Sequence, residues 1–254
     1  MSGIQFKTAL VTGAAHRIGR VLALRLARDG WAVGVHYNRS VEAALSLVDE
    51  IIALGGKAVA LPADLALEDE VMTLVPRAVE ALGPLGCLIN NASLFEQDSP
   101  MTTTRASWDA HMETNLRAPF VLIQAFAAQL PEDSEGAVVN LIDQRVWNLT
   151  PHFTSYTLSK AGLWTLTQTL ALALAPRIRV NAIGPGPTLP STRQTDEQFA
   201  QQCAAMPLRR GTSPEEIAEA LRFILASGSM TGQMIALDGG QHLSWSPAGN
   251  SPEE

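Results

Sequence analysis

The chain has 254 residues, of which 46% are hydrophobic and 17% charged, and this suits one α/β domain or at most two small ones. The net charge of −7 argues against nucleic acid or an anionic membrane surface as a partner. Cys87 and Cys203 are far apart and lack metal-ligand spacing, so no disulfide framework and no metal site is expected. The first ten residues do not resemble a signal peptide, and the apolar stretch 161–175 is too short to span a bilayer. We therefore expect a cytoplasmic protein that binds a small-molecule substrate.

Apolar runs alternate with longer stretches of helical periodicity. In chain order the predicted elements are strand 7–11, helix 17–29, strand 31–37, helix 41–54, strand 57–61, helix 68–82, strand 87–90, helix 107–130, strand 137–142, helix 155–175, strand 179–183, helix 214–226 and strand 233–237. Such alternation, with Val-, Ile- and Leu-rich strands, is typical of a parallel sheet with helices on both faces.

Three segments are predicted to be irregular. Pro119 is expected to kink the helix 107–130, and residues 184–211, rich in Pro, Thr and Gln, are expected to be mobile. Residues 244–254 are polar and contain Pro, so we expect a flexible tail after a single domain spanning residues 1–243.

A glycine-containing turn follows the first predicted strand. Gly13 suits a tight turn, and Gly19 lets the following helix pack close to the sheet. The start of that helix, with Arg17 and Ile18, offers N–H groups and a positive dipole to a pyrophosphate. A glycine after a strand is often only a turn, but its place in a strand–turn–helix at the start of an α/β chain favours a dinucleotide.

The second predicted strand ends without the acidic residue that usually binds the ribose of NAD. Its end reads His36, Tyr37, Asn38, Arg39 and Ser40. Arg39 and Ser40, with His36 as a further candidate, would suit a 2′-phosphate, since arginine offers a fork of donors. The alternative is that Arg39 is solvated and Ser40 caps the next helix. This pattern predicts NADP(H) as the cofactor.

Asp64 and Leu65 follow the third predicted strand. Asp64 would accept a hydrogen bond from the adenine amino group, or it would cap the helix that follows, and the sequence does not separate the two roles.

Tyr156 and Lys160 are four residues apart on a predicted helix and share one face. A free tyrosine has a pKa of about 10, and a nearby ammonium favours its phenolate form, so the pair suits proton transfer. The spacing alone is often accidental. Its weight comes from the order of the chain, in which the phosphate turn, an Asn-Asn-Ala segment and this helix follow one another.

These segments together resemble the short-chain dehydrogenase/reductase family over nearly the whole chain. The matching residues are Thr12, Gly13, Gly19, Asn90, Asn91, Ala92, Asn115, Tyr156, Lys160, Pro185 and Gly186. The resemblance implies a single Rossmann domain with a doubly wound, seven-stranded parallel sheet, and commonly a homotetramer.

The same resemblance implies roles for individual residues. Asn115 would support a relay water near Lys160, and Lys160 would also hold the nicotinamide ribose. Pro185 and Gly186 would lie beside the nicotinamide, and Thr188 would bind its carboxamide. The remaining cofactor contacts implied by the resemblance are Ile18, Leu65, Asn91, Ala92 and Ser93.

Two departures from the usual family pattern point to a subgroup. Asp143 stands thirteen residues before Tyr156, where the family usually has Ser, and Arg17 stands where Gly is usual. Both are similar to the pteridine reductases and the related dihydromonapterin and dihydrofolate reductases, as are the segments 90–95 and 238–243. A pterin presents N–H donors that favour an acceptor carboxylate, and a protonated carboxyl would also supply a proton. The alternative for Asp143 is a strand-end residue satisfied by local N–H groups.

We therefore expect a hydride transfer from NADPH to a pterin, with Tyr156 as proton donor assisted by Lys160 and Asp143. The substrate would lie on the ring of Phe95 with Arg17, Ser93 and Asp143 around its polar edge, although most such Phe residues belong to the core. Two alternatives stay open. One is a carbonyl reductase acting on a ketone such as a 3-oxoacyl thioester, and the other is a non-enzymatic NADPH-sensing protein on this fold.

Overall fold

The computed structural model describes residues 3–191 and 193–244. The strands are β1 (Thr8–Val11), β2 (Ala32–Tyr37), β3 (Ala58–Pro62), β4 (Cys87–Asn90), β5 (Gly136–Leu141), β6 (Ile178–Pro185) and β7 (Met234–Leu237). The helices are α1 (Arg17–Arg28), α2 (Val41–Ala53), α3 (Glu68–Leu82), α4 (Arg105–Met112), α5 (Ala118–Gln129), α6 (Thr154–Ala173), α7 (Asp196–Ala204) and α8 (Pro214–Ala226). Short 3₁₀ turns occur at Gln144–Val146 and Gln241–Leu243. Except for Ser244, the predicted tail lies outside the described residues.

The seven strands form one parallel sheet in the order β3-β2-β1-β4-β5-β6-β7. The order reverses beside β1, which pairs with β2 on one side and β4 on the other. In such sheets ligands bind outside the carboxyl ends of the strands, at the reversal point. The predicted doubly wound, seven-stranded Rossmann architecture is confirmed.

The sheet is covered on both faces, because β1, β4 and β5 are buried along their whole length. On one face Leu22 and Leu26 of α1 pack with apolar residues of α2 and α8. On the other face Leu74 of α3 packs with Leu122 and Phe126 of α5. Each fully buried side chain of this kind contributes about 1.5–3 kcal/mol, so the two layers hold the strand ends in a fixed frame.

The predicted helical segment 107–130 is helical in the structure over 105–129, but it consists of three segments. The structure has α4, a π-helical turn at Glu113–Arg117, and α5. Helix α4 begins before Ser107, because Thr104 and Ser107 form a capping box in which each side chain binds the other's backbone N–H. Pro119 lies in the first turn of α5, where proline's missing N–H is tolerated. The π-helical turn Glu113–Arg117 lies just before it.

The segment 184–211 is not wholly irregular, because it contains the end of β6 and the helix α7. Thr195 caps α7 through a second capping box with Gln198. The predicted mobility of this segment stays a prediction.

Within the described ranges, no helix has both the length and the apolar content needed to cross a membrane. The same ranges contain no group of three or more His, Cys, Asp or Glu side chains arranged to hold a metal ion.

Candidate active site

The turn between β1 and α1 is tied to the end of β4. Gly13 has a φ of 62°, a left-handed conformation that favours glycine. The hydroxyl of Thr12 accepts hydrogen bonds from the N–H groups of Asn91 at 2.9 Å and Ala92 at 3.0 Å. In return, the Asn91 amide donates to the carbonyls of Thr12 at 2.8 Å and Gly13 at 3.1 Å. Asn91 and Ala92, predicted as cofactor contacts, therefore also shape the turn.

Helix α1 begins close against this turn. A Cβ on Gly19 would lie 2.2 Å from the Gly13 carbonyl oxygen, so the close approach requires glycine. His16 occupies the N-cap without a side-chain hydrogen bond, and the first turn contains no acidic residue. The N–H groups at the start of α1 are thus not capped by a side chain, which leaves them available to an anion.

The prediction that His36 binds a 2′-phosphate is corrected by the structure. Its ring is 2% exposed, its Nδ1 accepts from the Gly13 N–H at 2.9 Å, and its Nε2 lies 3.0 Å from the Ala63 carbonyl oxygen. Because Nδ1 accepts, the hydrogen must be on Nε2, which donates to Ala63. Burial lowers the pKa of His36 to about 4, against the opposing effect of the Ala63 hydrogen bond. His36 is therefore a neutral side chain whose two hydrogen bonds connect β2 to the Gly13 turn and to Ala63, the residue after β3.

The other residues at the end of β2 are disposed differently. Tyr37 is buried, whereas Asn38 and Arg39 are exposed. Ser40 occupies the N-cap position of α2, as the capping alternative predicts, but its hydroxyl makes no capping hydrogen bond. The Arg39 guanidinium makes no hydrogen bond or ion pair with any residue in 3–191 or 193–244. Arg39 and Ser40 follow β2, which is next to β1 in the sheet, so they lie on the same side of the molecule as the Gly13 turn. Both are candidates for binding a phosphate.

Asp64 does not cap α3, whose N-cap is Leu67. Its carboxylate instead accepts from the Ala66 N–H at 2.9 Å within a local turn, and its own N–H donates to Glu70 at 2.7 Å. The capping alternative is therefore wrong, and the adenine contact stays a prediction. Leu65 is buried beside it.

Tyr156, Asp143 and Lys160 meet at the carboxyl end of β5. The Tyr156 hydroxyl donates to Asp143 Oδ2 at 2.9 Å, and the Lys160 ammonium donates to the Leu141 carbonyl at 2.8 Å. Lys160 is 2% exposed, and its Nζ lies 5.9 Å from the centre of the Tyr156 ring. Burial lowers the pKa of Lys160 to about 8, while attraction to Asp143 opposes this change. Asp143 thus lies beside the tyrosine hydroxyl, as its position in the sequence predicts, and its Oδ1 also accepts from the Arg145 N–H at 2.8 Å, as the alternative of a locally satisfied strand-end residue predicts.

Asn115 lies in the π-helical turn and is fully buried. Its side chain accepts from the Leu94 N–H at 2.8 Å and donates to the Leu94 carbonyl at 2.9 Å. It also donates to the Ser159 hydroxyl at 3.0 Å. Asn115 therefore joins the segment after β4 to α6 one residue before Lys160. Its support of a relay water stays a prediction.

Arg145 is a site residue that the sequence analysis missed. Its side chain is 4% exposed, and its Nε lies 3.7 Å from Asp143 Oδ2. Its guanidinium carbon lies 5.0 Å from the ring centre of Phe153, 5.6 Å from that of Tyr156 and 5.8 Å from that of Phe95. A cation over aromatic faces is attracted by the ring quadrupole, so Arg145 binds the aromatic cluster to the carboxylate beside the tyrosine.

Phe95 lies at the same place but is less free than predicted. It stacks on Phe153 with ring centres 4.5 Å apart, and it meets Tyr156 edge-on at 4.7 Å. The Arg193 guanidinium carbon lies 5.0 Å from the Phe95 ring centre, and Arg193 Nη2 donates to the Phe95 carbonyl at 3.0 Å. Phe95 also lines the cleft, so part of its ring can still meet a ligand.

The segment after β6 closes the site from the opposite side. The Arg17 guanidinium donates to the carbonyls of Pro190 at 2.9 Å and Leu189 at 3.2 Å. The Thr188 hydroxyl donates to the Gly186 carbonyl at 2.9 Å. Arg17 thus connects the turn after β1 to this segment, while its predicted contacts with phosphate and substrate stay predictions.

These residues surround a cleft with a cavity volume of about 280 Å³. The predicted site residues that line it are Arg17, Ile18, Asn91, Ser93, Phe95, Asp143, Tyr156, Lys160, Pro185, Gly186 and Thr188. Lining residues that the sequence analysis did not predict include Gln144, Arg145, Gln194, Phe199, Gln202 and Gln241. Three of these, Gln194, Phe199 and Gln202, come from the segment after β6, in which no periodic pattern is visible.

Comparison with known proteins places the chain among dinucleotide-dependent enzymes. Residues 7–202 match the family of short chain dehydrogenases. A 3-oxoacyl-[acyl-carrier-protein] reductase, FabG of Staphylococcus epidermidis, is 34% identical over 242 residues, covering 93% of this chain and 99% of the relative.

Solved structures show a stronger similarity. FolM alternative dihydrofolate reductase 1 from Brucella suis, in complex with NADP, is 48% identical with a TM-score of 0.92, and the alignment covers 95% of this chain and 97% of that one. A short chain dehydrogenase from Burkholderia cenocepacia, also in complex with NADP, is 34% identical with a TM-score of 0.88, covering 94% of this chain and 99% of that one.

Proposed function

Because the chain belongs to the short chain dehydrogenase family, we propose that it is an NADPH-dependent reductase that transfers a hydride to a pterin-type substrate. The resemblance to this family in the sequence is confirmed, and the chain is an oxidoreductase of that family. The observation that carries the pterin proposal is the 2.9 Å hydrogen bond from the Tyr156 hydroxyl to Asp143, at the place where the family usually has a serine. The similarity to two FolM structures supports the same substrate class.

The residues present fit a dinucleotide. The close approach of Gly19 to the Gly13 turn and the uncapped start of α1 suit a pyrophosphate. The exposed Arg39 and the uncommitted Ser40 hydroxyl suit a 2′-phosphate, which favours NADPH over NADH. Gly186 lines the cleft, and its backbone passes so close to Asp238 that a Cβ would lie 2.7 Å from the Asp238 Cα, so glycine is required there.

Residues of this chain would handle the proton. When bound, the dihydronicotinamide supplies a hydride, which reduces a C=N bond of the substrate at carbon. The Tyr156 hydroxyl would give its proton to the adjacent ring nitrogen, and the buried Lys160 ammonium would stabilise the phenolate left behind. The Asp143 carboxylate would accept hydrogen bonds from N–H groups of the pterin. A serine hydroxyl would be a less suitable acceptor for these groups.

The part of the Phe95 ring that lines the cleft would bind the pterin ring. Arg17 and Ser93 line the same cleft and would face the polar edge of the substrate. Arg145, held among the rings of Phe153 and Tyr156, would keep Asp143 in place.

A second candidate is a carbonyl reductase, favoured by the similarity to a 3-oxoacyl reductase over almost the whole chain. Asp143 counts against it, since a serine hydroxyl is better matched to a carbonyl oxygen. A homotetrameric assembly and a cytoplasmic location stay predictions.

The decisive experiment is steady-state NADPH oxidation with dihydrobiopterin, dihydromonapterin, dihydrofolate, folate and a 3-oxoacyl thioester. We expect turnover of at least one pterin, and Asp143→Ser should reduce pterin turnover more than ketone turnover. Arg39→Ala should weaken NADPH but not NADH, whereas Arg28→Ala, at an exposed arginine on α1, should change neither. Turnover of the thioester with none of the pterins would replace this proposal by the carbonyl reductase.

A further inference from the structure

A buried polar cluster lies behind Tyr156, outside the lining of the cleft. It consists of Asp98, Ser155 and His111, which are 5%, 0% and 0% exposed. The His111 ring packs edge-on against Tyr156 with ring centres 6.1 Å apart. None of the three side chains is placed to touch a substrate, and burying polar groups is costly unless their hydrogen bonds are satisfied. The cluster therefore calls for a role other than direct catalysis.

The hydrogen bonds of the cluster converge on Ser155. Its N–H donates to Asp98 Oδ1 at 3.2 Å, and its hydroxyl donates to Asp98 Oδ2. Its hydroxyl also lies 2.8 Å from His111 Nδ1. His111 Nε2 accepts from the Glu96 N–H at 3.1 Å, so the ring hydrogen is on Nδ1, which faces Ser155 and the Ser107 carbonyl.

Asp98 is an ionised acceptor in this arrangement. Burial opposes its ionisation, but the hydrogen bonds from the hydroxyl and N–H of Ser155 outweigh this effect, and the pKa of Asp98 lies below its usual value. The Asp98 carbonyl also accepts from the Phe153 N–H at 2.9 Å. Phe153 has a φ of 58°, a conformation that a bulky residue adopts only when its surroundings hold it there.

The cluster joins two segments that carry site residues. Residues 94–99 carry Phe95, and the first turn of α6 carries Tyr156. The two rings meet edge-on, 4.7 Å between centres and 67° between planes, and Phe153 stacks on Phe95 from the same first turn. Each hydrogen bond that Ser155 or Phe153 donates to Asp98 crosses between these segments, so the cluster fixes the distance between the two rings.

We infer that Asp98, Ser155 and His111 are positioning residues that hold the Phe95 segment against α6 and so set the geometry of Phe95 relative to Tyr156. This inference rests on the proposed roles of Phe95 in binding and Tyr156 in proton transfer. A misplacement of about 1 Å at a reacting group costs a rate factor on the order of 100. The cluster therefore matters to turnover although it touches no reactant.

The test compares Ser155→Ala with Thr167→Ala. Thr167 is also a fully buried hydroxyl of α6, hydrogen bonded to Asn140 and to the Leu163 carbonyl, but it lies far along the helix from the cleft. For Ser155→Ala we expect kcat to fall by roughly 10- to 100-fold and the pterin KM to rise, with NADPH affinity unchanged. Amide hydrogen exchange should speed up at Glu96, Phe153 and Ser155. Thr167→Ala should show neither effect, even where its loss of stability is similar.

A second variant guards against misfolding of the first. His111→Gln keeps an acceptor within reach of the Glu96 N–H but removes the ring donor to Ser155, so an intermediate loss of kcat is expected. Wild-type kinetics and wild-type exchange at Glu96 and Ser155 in Ser155→Ala would overturn the inference, as would an equal kinetic loss in Thr167→Ala. The exchange measurement needs no substrate. If the wild-type enzyme reduces no pterin, the proposed function is wrong. The kinetics of Ser155→Ala and Thr167→Ala are then compared with the 3-oxoacyl thioester as substrate.

Discussion

His36 should make the stability of this protein depend on pH between about 6.5 and 4. Burial lowers the pKa of His36 from 6.5 to about 4, and both ring nitrogens are bound to backbone groups. The unfolded chain therefore takes up a proton below about pH 6.5, whereas the folded chain does so only below about pH 4. The stability contributed by the neutral ring is complete above pH 6.5 and is lost as the pH falls towards 4.

The size of the effect follows from the two pKa values. Their difference of about 2.5 corresponds to about 3.4 kcal/mol, because one pH unit is worth about 1.4 kcal/mol for a single proton. By pH 5 the loss is already about 2 kcal/mol. Domains are typically stable by about 5–15 kcal/mol, so one histidine would remove a sizeable share of the free energy of unfolding.

The assay is urea unfolding of the wild-type protein and His36→Asn at pH 7 and pH 5. The Asn oxygen can take the place of Nδ1 as acceptor for the Gly13 N–H, but it does not titrate. We expect the wild type to lose about 2 kcal/mol more than His36→Asn between the two pH values. His16→Asn, at an exposed histidine near the same turn, is the control and should behave like the wild type. Equal pH dependence of the wild type and His36→Asn would refute the reasoning.

Two further predictions concern the cofactor site. The Lys160 pKa of about 8 predicts that NADPH affinity falls above pH 8 as the ammonium loses its charge, and Lys160→Met should bind more weakly but with a flat profile in a fluorescence titration. A matching alkaline fall in Lys160→Met would assign the effect to another group. Gly19→Ala should lower NADPH affinity by at least about tenfold and stability by about 1–3 kcal/mol, since its Cβ would lie 2.2 Å from a carbonyl oxygen. Gly228→Ala, whose Cβ would meet nothing within 4 Å, should change neither, and an intact cofactor affinity in Gly19→Ala would contradict the proposed phosphate turn.

Much of the fold was predictable because it depends on local pattern. Buried parallel strands are continuous apolar runs, and every predicted strand has its counterpart in the sheet. The pairing of Asp143 with Tyr156 was also predictable, because the carboxyl end of β5 and the start of α6 meet at the edge where such sheets bind ligands. The helix α7 was missed although Thr195 and Gln198 form a capping box that is visible in the sequence.

The remaining features depend on contacts that no local pattern reports. The sequence predicts a phosphate contact for His36 because it lies at the end of β2, but its partners, Gly13 and Ala63, lie on either side of it in the chain, 23 and 27 residues away. The π-helical turn around Asn115 depends on hydrogen bonds to Leu94 and Ser159, which come from different elements. Periodicity shows which face of a helix is apolar. It does not show where side-chain hydrogen bonds from other elements accompany a change from α-helix to a π-helical turn.

Arg145 is a further case of this kind, and its role leads to a direct test. Arginine after a strand reads as a solvated residue, yet here the side chain is buried against three rings and lies 3.7 Å from Asp143. Cation–π contacts of this kind contribute about 0.5–2 kcal/mol each, which corresponds to factors of about 2 to 30. Arg145→Met keeps the packing volume but removes the charge, and Arg145→Lys keeps the charge but loses the planar group. We expect Arg145→Met to lower kcat by about tenfold with NADPH affinity unchanged, because Asp143 Oδ2 loses the positive charge 3.7 Å away, although Oδ1 keeps its 2.8 Å hydrogen bond from the backbone N–H of residue 145. If Arg145→Lys retains most of the wild-type kcat, the charge of Arg145 is its main contribution. If the kcat of Arg145→Lys falls as far as that of Arg145→Met, stacking of the planar guanidinium is the main contribution. A wild-type kcat in Arg145→Met would show that Asp143 is positioned without Arg145.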